Sequence, residues 1–181
     1  MQWLELRLPP VALVIILAGA MWLLVAVNPA LAIALPAAVV VAAIFMLAGT
    51  AVALLGVYAF KQARTTVDPR SPDKAEALVV AGIYRLSRNP MYLGFLLLLL
   101  GFACYLQHML PFLLLPLFVL YINRFQIRPE ERYMQQKFAA DFSAYCAKVP
   151  RWLALQFWLP GLLLLSGYIL LAICLFQDTL L

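Results

Sequence analysis

The sequence predicts an all-α polytopic membrane helix bundle, with about five transmembrane helices and one further helix on the cytoplasmic surface. Three observations predict it. Hydrophobic residues make up 66% of the 181-residue chain and charged residues only 12%, about half the charged share of a soluble domain. No Asp, Glu, Lys or Arg stands between Arg7 and Lys61, between Arg88 and Arg124, or between Arg151 and Asp178. All 13 Lys and Arg residues except Arg7 fall within 61–88 or 124–151. Charge is costly in hydrocarbon, so long uncharged tracts alternating with basic polar ones are what a membrane solvent imposes. The chain 1–181 reads as a single membrane domain, and its aqueous chemistry must be built from the two polar stretches.

Taken in order, residues 8–60 are long enough for two crossings at about 20 residues each. Asn28-Pro29 is the natural turn between them, because proline disfavours continued helix. Helix 1 is expected at 10–27 and helix 2 at 31–60, with Pro36 in its first turns, where a missing N–H matters little. The tract is too long for a cleavable signal peptide, and Asn28-Pro29 is not a small-residue cleavage site.

Residues 61–90 are polar, with Asp68-Pro69 and Ser71-Pro72 marking an extended loop. A third span is expected at 91–107. Gln107-His108 with Pro111 makes a second tight turn, and a fourth span follows at 109–125, bent at Pro116. In 129–146, Met134, Phe138, Phe142 and Cys146 recur every four residues between polar positions, the pattern of a helix lying on a membrane surface. A fifth span is expected at 157–176, behind the anchor Arg151-Trp152. The excess of Lys and Arg places 61–90 and 126–153 on the cytoplasmic side of the inner membrane.

Composition also narrows function. The net charge of +5 is explained by headgroup-facing clusters rather than by nucleic acid. Cys104, Cys146 and Cys174 lack metal-like spacing, so neither a metal nor a disulfide is expected. His108, the single histidine, argues against a His-based metal site or a Ser-His-Asp triad and sits in the turn away from the polar stretches. No Gly-x-Gly-x-x-Gly follows a strand, which excludes a soluble Rossmann-type enzyme.

Two clusters remain. Gly82, Tyr84, Arg85, Arg88, Asn89, Pro90, Tyr92 and Gly94 lie across the cytoplasmic start of the third span. Arg88, Asn89 and Tyr92 put a cation, an amide and a phenol within about one helical turn, Pro90 suits the first helical position, and exposed amides there favour an anionic group. Arg128-Pro129-Glu130-Glu131-Arg132 follows the fourth span, where acids in a first turn suit the helix dipole. Carboxylates there suit an ammonium or ribose hydroxyls, and a neighbouring Arg suits a carboxylate. Together they fit a zwitterionic ligand with a polar tail. The alternative is a set of arginines reaching phosphate beside a belt of aromatic rings.

The series Gly82-x-Tyr84-Arg85-x-x-Arg88-Asn89-Pro90-x-Tyr92-x-Gly94, an apolar hairpin, then Glu130-Glu131, resembles the isoprenylcysteine carboxyl methyltransferase family, itself related to the phospholipid N-methyltransferases. Phe138, Tyr145 and Val149-Pro150-Arg151-Trp152-Leu153 look like it as well, so the likeness runs over 65–153. It implies a membrane methyltransferase using S-adenosylmethionine and releasing S-adenosylhomocysteine. Carried over by position, Gly82, Tyr84, Arg88, Asn89, Pro90, Tyr92, Gly94, Glu130 and Glu131 would hold the cofactor. Arg85, Arg128 or Arg151 would orient a lipid-like or small apolar acceptor arriving from the bilayer. Many relatives carry His where this chain has Asn89, and Asn does not titrate near neutrality. The competing readings are a nicotinamide-dependent membrane reductase of related fold and a small non-enzymatic membrane protein.

Overall fold

Pro9-Pro10 opens the first helix at the position where an absent N–H costs nothing, and an unbroken apolar run carries it over Pro10–Val27 (α1). The computed structural model describes residues 5–63 and 77–153. Four more helices follow among them: α2 (Ala38–Gln62), α3 (Pro90–Leu106), α4 (Met109–Ile122) and α5 (Arg128–Lys148). The expected span at 157–176 lies outside the described residues, as do residues 64–76 of the loop 61–90.

Helix 2 starts later than the sequence reading placed it. Pro29–Leu31 forms a 3-10 turn instead, and the chain stays extended or bent until Ala38. Pro36 is the cause: proline disfavours the helical conformation of the residue before it, and Ala37 beyond it is left-handed (φ 49°, ψ 32°). The freed segment ties the two distal turns together. Ile33 N–H donates to Gln107 O at 2.8 Å, and Leu35 N–H donates to Gln107 Oε1 at 3.3 Å.

The expected count of five spans is also not reached among the described residues. Three stretches there are long and apolar enough to cross a membrane: Pro10–Val27, Ala38–Gln62 and Met109–Lys148. Helix α3, at 17 residues, is shorter, and it reaches only about 25 Å at 1.5 Å per residue. It is held by α2, whose glycines meet its own. A Cβ on Gly94 would lie 2.6 Å from Gly49 O, and one on Gly101 would lie 2.8 Å from Ala42 O. Small residues let two apolar helices approach to backbone contact, which is how helices associate in lipid.

On its other side α3 meets α1 and α4. Leu13, Leu17 and Met21 of α1, Tyr92 and Leu99 of α3, and Phe118 and Ile122 of α4 share the main core with Ile127. The fourth span and the surface helix, expected as separate elements, run on without a break. A π-helical turn, Asn123–Ile127, joins them. Pro129 explains it, because it has no N–H to offer the carbonyl of Phe125 four residues earlier. Arg128 N–H reaches back to Asn123 O instead, and Phe125 O accepts from Leu6 N–H at 3.0 Å. Beyond that turn the expected unbroken surface helix is interrupted at Ala139 (φ 35°, ψ -102°), and Met134 and Phe138 before the kink pack with Phe142, Tyr145, Cys146 and Val149 after it.

The buried His108 locks the end opposite the two basic stretches. Its Nδ1 accepts from Leu110 N–H at 3.2 Å, capping α4. Its Nε2 therefore carries the proton that it shares with Asn28 O, 2.7 Å away at the end of α1. Replacing His108 by Ala removes a cap and an inter-helix tether, and is expected to lower stability by about 2 kcal/mol. His108→Asn, which keeps a capping acceptor, should recover part of it. Thermal unfolding in one detergent tests this, and equal midpoints for wild type and His108→Ala would contradict the arrangement.

Candidate functional site

The remaining polar side chains gather at the other end of the bundle, where α3 begins and the π-turn hands over to α5. Both basic stretches contribute described residues, Arg88 from the first and Arg151 from the second. Residues 87–89 and 149–152 are stitched together first. Arg88 N–H donates to Pro150 O at 3.0 Å. The Asn89 side-chain amide donates to Arg151 O at 2.9 Å. The buried Ser87 hydroxyl donates to the same carbonyl at 3.3 Å and accepts from Asn89 N–H at 3.0 Å. Tyr145 donates to Tyr84 O at 2.7 Å, which clips the far end of α5 to the 3-10 turn Gly82–Arg85.

This frame brings Glu131 between two guanidiniums. Arg151 is bidentate on it, Nε to Oε1 at 3.1 Å and Nη2 to Oε2 at 2.5 Å. Arg88 Nη2 lies 3.2 Å from Oε1. The other Arg88 amine contacts the Cys146 sulfur, while its Nε is buried with no partner among the described residues. The Glu131 bond raises the Arg151 pKa above its ordinary value, with desolvation opposing it.

Glu130 differs from its neighbour. It accepts a short hydrogen bond from the buried Tyr92, and no ion pair reaches it among the described residues. Burial pushes its carboxyl up to about 8, with the charge of Glu131 adding to the effect and the Tyr92 bond opposing it. One carboxylate is doubly neutralised, and the adjacent one lacks a counter-charge. The pair forms a place where a ligand can bring its own cation next to Glu130 while an Arg88 donor waits for an anion.

The other sequence candidates are distributed around this centre. Pro90 is buried as the first residue of α3. Asn89 is committed to backbone rather than left open. Tyr84 is buried, edge-on to Phe60 at 5.4 Å. Gly82 adopts φ 60° with open space where a Cβ would stand, and Gly94 faces α2. Arg85 and Arg128 are exposed, apart from the Glu131 ion pairs. Sequence reasoning missed Ser87, which bonds Asn89 N–H locally and Arg151 O across the chain, and the thiol of Cys146, which meets Arg88 only through a long-range contact. It also missed Glu5, whose carboxylate pairs with Arg124 at 2.8 Å and with Arg132. An acid just before an apolar tract was the only available signal.

Residues 37–141, more than half of the chain, match the phospholipid methyltransferase family. A 63-residue stretch, 35% of the chain, is 44% identical to an uncharacterized protein of Haemophilus influenzae, over that protein's whole length. No solved structure matches. The matched region contains α2, α3, α4 and the Glu130-Glu131 start of α5, so it takes in Arg88, Tyr92, Glu130 and Glu131 and stops short of Cys146 and Arg151. The chain belongs to the phospholipid methyltransferase family.

Proposed function

We propose that the protein transfers the methyl group of S-adenosylmethionine to a lipid-like or small apolar acceptor that reaches the site from the bilayer, on the cytoplasmic side of the membrane. The observation that carries this reading is the meeting of Arg88, Glu131 and Arg151 with Tyr92 and Glu130 at one end of α3, in a chain of this family.

The residues present fit such a cofactor. Arg88 offers a buried N–H with no partner to a carboxylate, and Glu130 with the Tyr92 ring stands ready for a cation. When bound, the cofactor supplies a methyl group already activated on a sulfonium. The protein is left to align, to exclude water and to hold charge. Glu131 fixes Arg88 and Arg151. Ser87 and Asn89 fix the 149–152 segment that carries Arg151. Tyr92 sets the position of the Glu130 carboxyl. An anionic acceptor would meet Arg151 or the exposed Arg85; a carboxylate, an amine and a thiol are all compatible with that surface.

Thermal unfolding of detergent-purified protein tests the reading. S-adenosylhomocysteine at a hundredfold excess over its Kd should raise the midpoint by roughly 5–10 °C, since a ligand bound only by the folded state stabilises it by about 2.7 kcal/mol at that excess. NADPH should do nothing. Silence with S-adenosylhomocysteine at millimolar concentration, or a shift with NADPH, would overturn it.

A further inference from the structure

The face of α5 turned away from Glu131 has its own architecture. Pro129, Arg132, Tyr133 and Gln136 recur at intervals of three and four and therefore share one side of the helix, while Glu131, Met134 and Phe138 share the other. With Glu5 and Leu6 they line a groove of about 350 Å³ between α5 and the segment that leads into α1. Leu6 N–H, bonded to Phe125 O, and Leu8 O, accepting from the Gln126 amide at 2.7 Å, hold that segment against the π-turn.

The groove's level in the membrane is set by its borders. Pro10 opens one apolar helix and Ile122 closes another, so the groove lies where hydrocarbon gives way to headgroups. Its charge is lopsided. Arg7 and Arg128 are exposed, Arg132 is 56% exposed and Arg124 40%. Among the described residues, Glu5 is the only acid on these arginines, and it is a fixed anion. The bond from Arg124 chiefly, helped by Arg132, holds its carboxyl below the ordinary value against some desolvation. Glu5 against Arg124 and Arg132 leaves a surplus of positive charge, with Arg128 one helical turn before Arg132, and each guanidinium has five N–H donors to share. Leu6 and Pro129 give an apolar floor, while Tyr133, 43% exposed, and Gln136 add polar groups at the rim.

We propose that this groove is a binding site for the headgroup of an anionic phospholipid of the same leaflet, its phosphate taken by Arg132 with Arg128 and its glycerol backbone resting on Leu6 and Pro129. Such a lipid would brace, from behind, the helix whose opposite face carries Glu131.

The test uses the full chain in nanodiscs of phosphatidylcholine doped with increasing phosphatidylglycerol. Saturable thermal stabilisation should appear with the wild type. The apparent affinity should fall about fivefold for Arg132→Gln, the loss expected for one cation near a charged surface. Gln136→Glu, which places a carboxylate on the exposed rim without touching Glu5, should weaken it similarly, and decides the matter if Arg132→Gln folds poorly. Equal responses from wild type and Gln136→Glu overturn the proposal. So does full stabilisation by soluble glycerol 3-phosphate in undoped discs, which would identify a free phosphoanion instead. Both variants should keep their response to S-adenosylhomocysteine. A protein that answers to phosphatidylglycerol but never to S-adenosylhomocysteine would keep this site and lose the proposed activity.

Discussion

Glu131→Gln should abolish measurable cofactor binding, weakening it by at least about thirtyfold, while the helices remain folded. The wild-type carboxylate is shared by Arg151, through two bonds, and by Arg88. The side chains are mostly covered, at 15% exposure for Arg88, 21% for Glu131 and 35% for Arg151. Removing one charge from a covered, hydrogen-bonded pair costs about 2–5 kcal/mol, largely because its partners are left uncompensated. Here two cations lose their common anion and repel each other. Gln also turns N–H donors toward guanidiniums that have only donors to offer. Arg151 sits on the segment that Ser87, Arg88 and Asn89 hold by its backbone carbonyls, so its side chain moves while its main chain stays.

A second substitution separates positioning from bulk stability. Arg151→Gln leaves Glu131 paired with Arg88 and should cost less than Glu131→Gln. In the double variant the effects should be less than additive, since both act on one contact. The readouts are the unfolding midpoint without ligand and the midpoint shift with S-adenosylhomocysteine. Wild-type ligand shifts in Glu131→Gln would remove this cluster from the binding site.

The positions of α1 and α3 were legible because the membrane writes them twice, as apolar length and as proline at the opening turn, and the surface helix showed as apolar residues recurring every four positions. Pro10 and Pro90 each stand where the helix begins. What escaped the sequence was the conformation around Pro36 and Pro129. Pro36 held off α2 rather than entering it, and Pro129 produced a π-turn rather than a break. Both outcomes depend on a distant partner for an orphaned group, the Gln107 side chain for Leu35 N–H and Leu6 N–H for Phe125 O. Nothing local in sequence names such partners. The site behaves the same way. Arg88 and Glu131 were visible as charges that a lipid-facing surface would not need, and they meet at 3.2 Å. The selection of Arg151 over Arg85 and Arg128 as the second cation was not visible, because it follows from three bonds to the carbonyls of Pro150 and Arg151 that close residues 87–89 onto them.

Glu130 yields the other large effect, a pH dependence whose sign differs between the empty and the occupied protein. Burial holds its carboxyl at about 8, against 4.5 for the free group. The folded state therefore keeps a proton that the unfolded chain releases. The resulting stabilisation is complete below the unfolded value, declines as pH rises from there, and is lost once pH passes the folded value. The empty protein should accordingly melt lower at pH 8 than at pH 5.

A cationic ligand beside Glu130 reverses the trend, because it favours the carboxylate over the acid. Between pH 6 and 7.5 the affinity for S-adenosylmethionine should rise with pH, by up to about tenfold per unit, the limit for one proton released per ligand bound. The other titratable and charged groups facing Glu130 are Tyr92 of α3, Glu131 of α5, and the Arg88 and Arg151 cations that Glu131 holds. Glu131 is already paired with the two guanidiniums, and Glu130, whose carboxyl burial raises, is the group that responds in this window. Calorimetry in buffers of different ionisation enthalpy measures the proton directly. Glu130→Gln should bind with a flat profile and release none. If the wild type releases no proton at pH 6.5, or if Glu130→Gln keeps the wild-type slope, then the cation is held elsewhere and Glu130 serves only to anchor Tyr92.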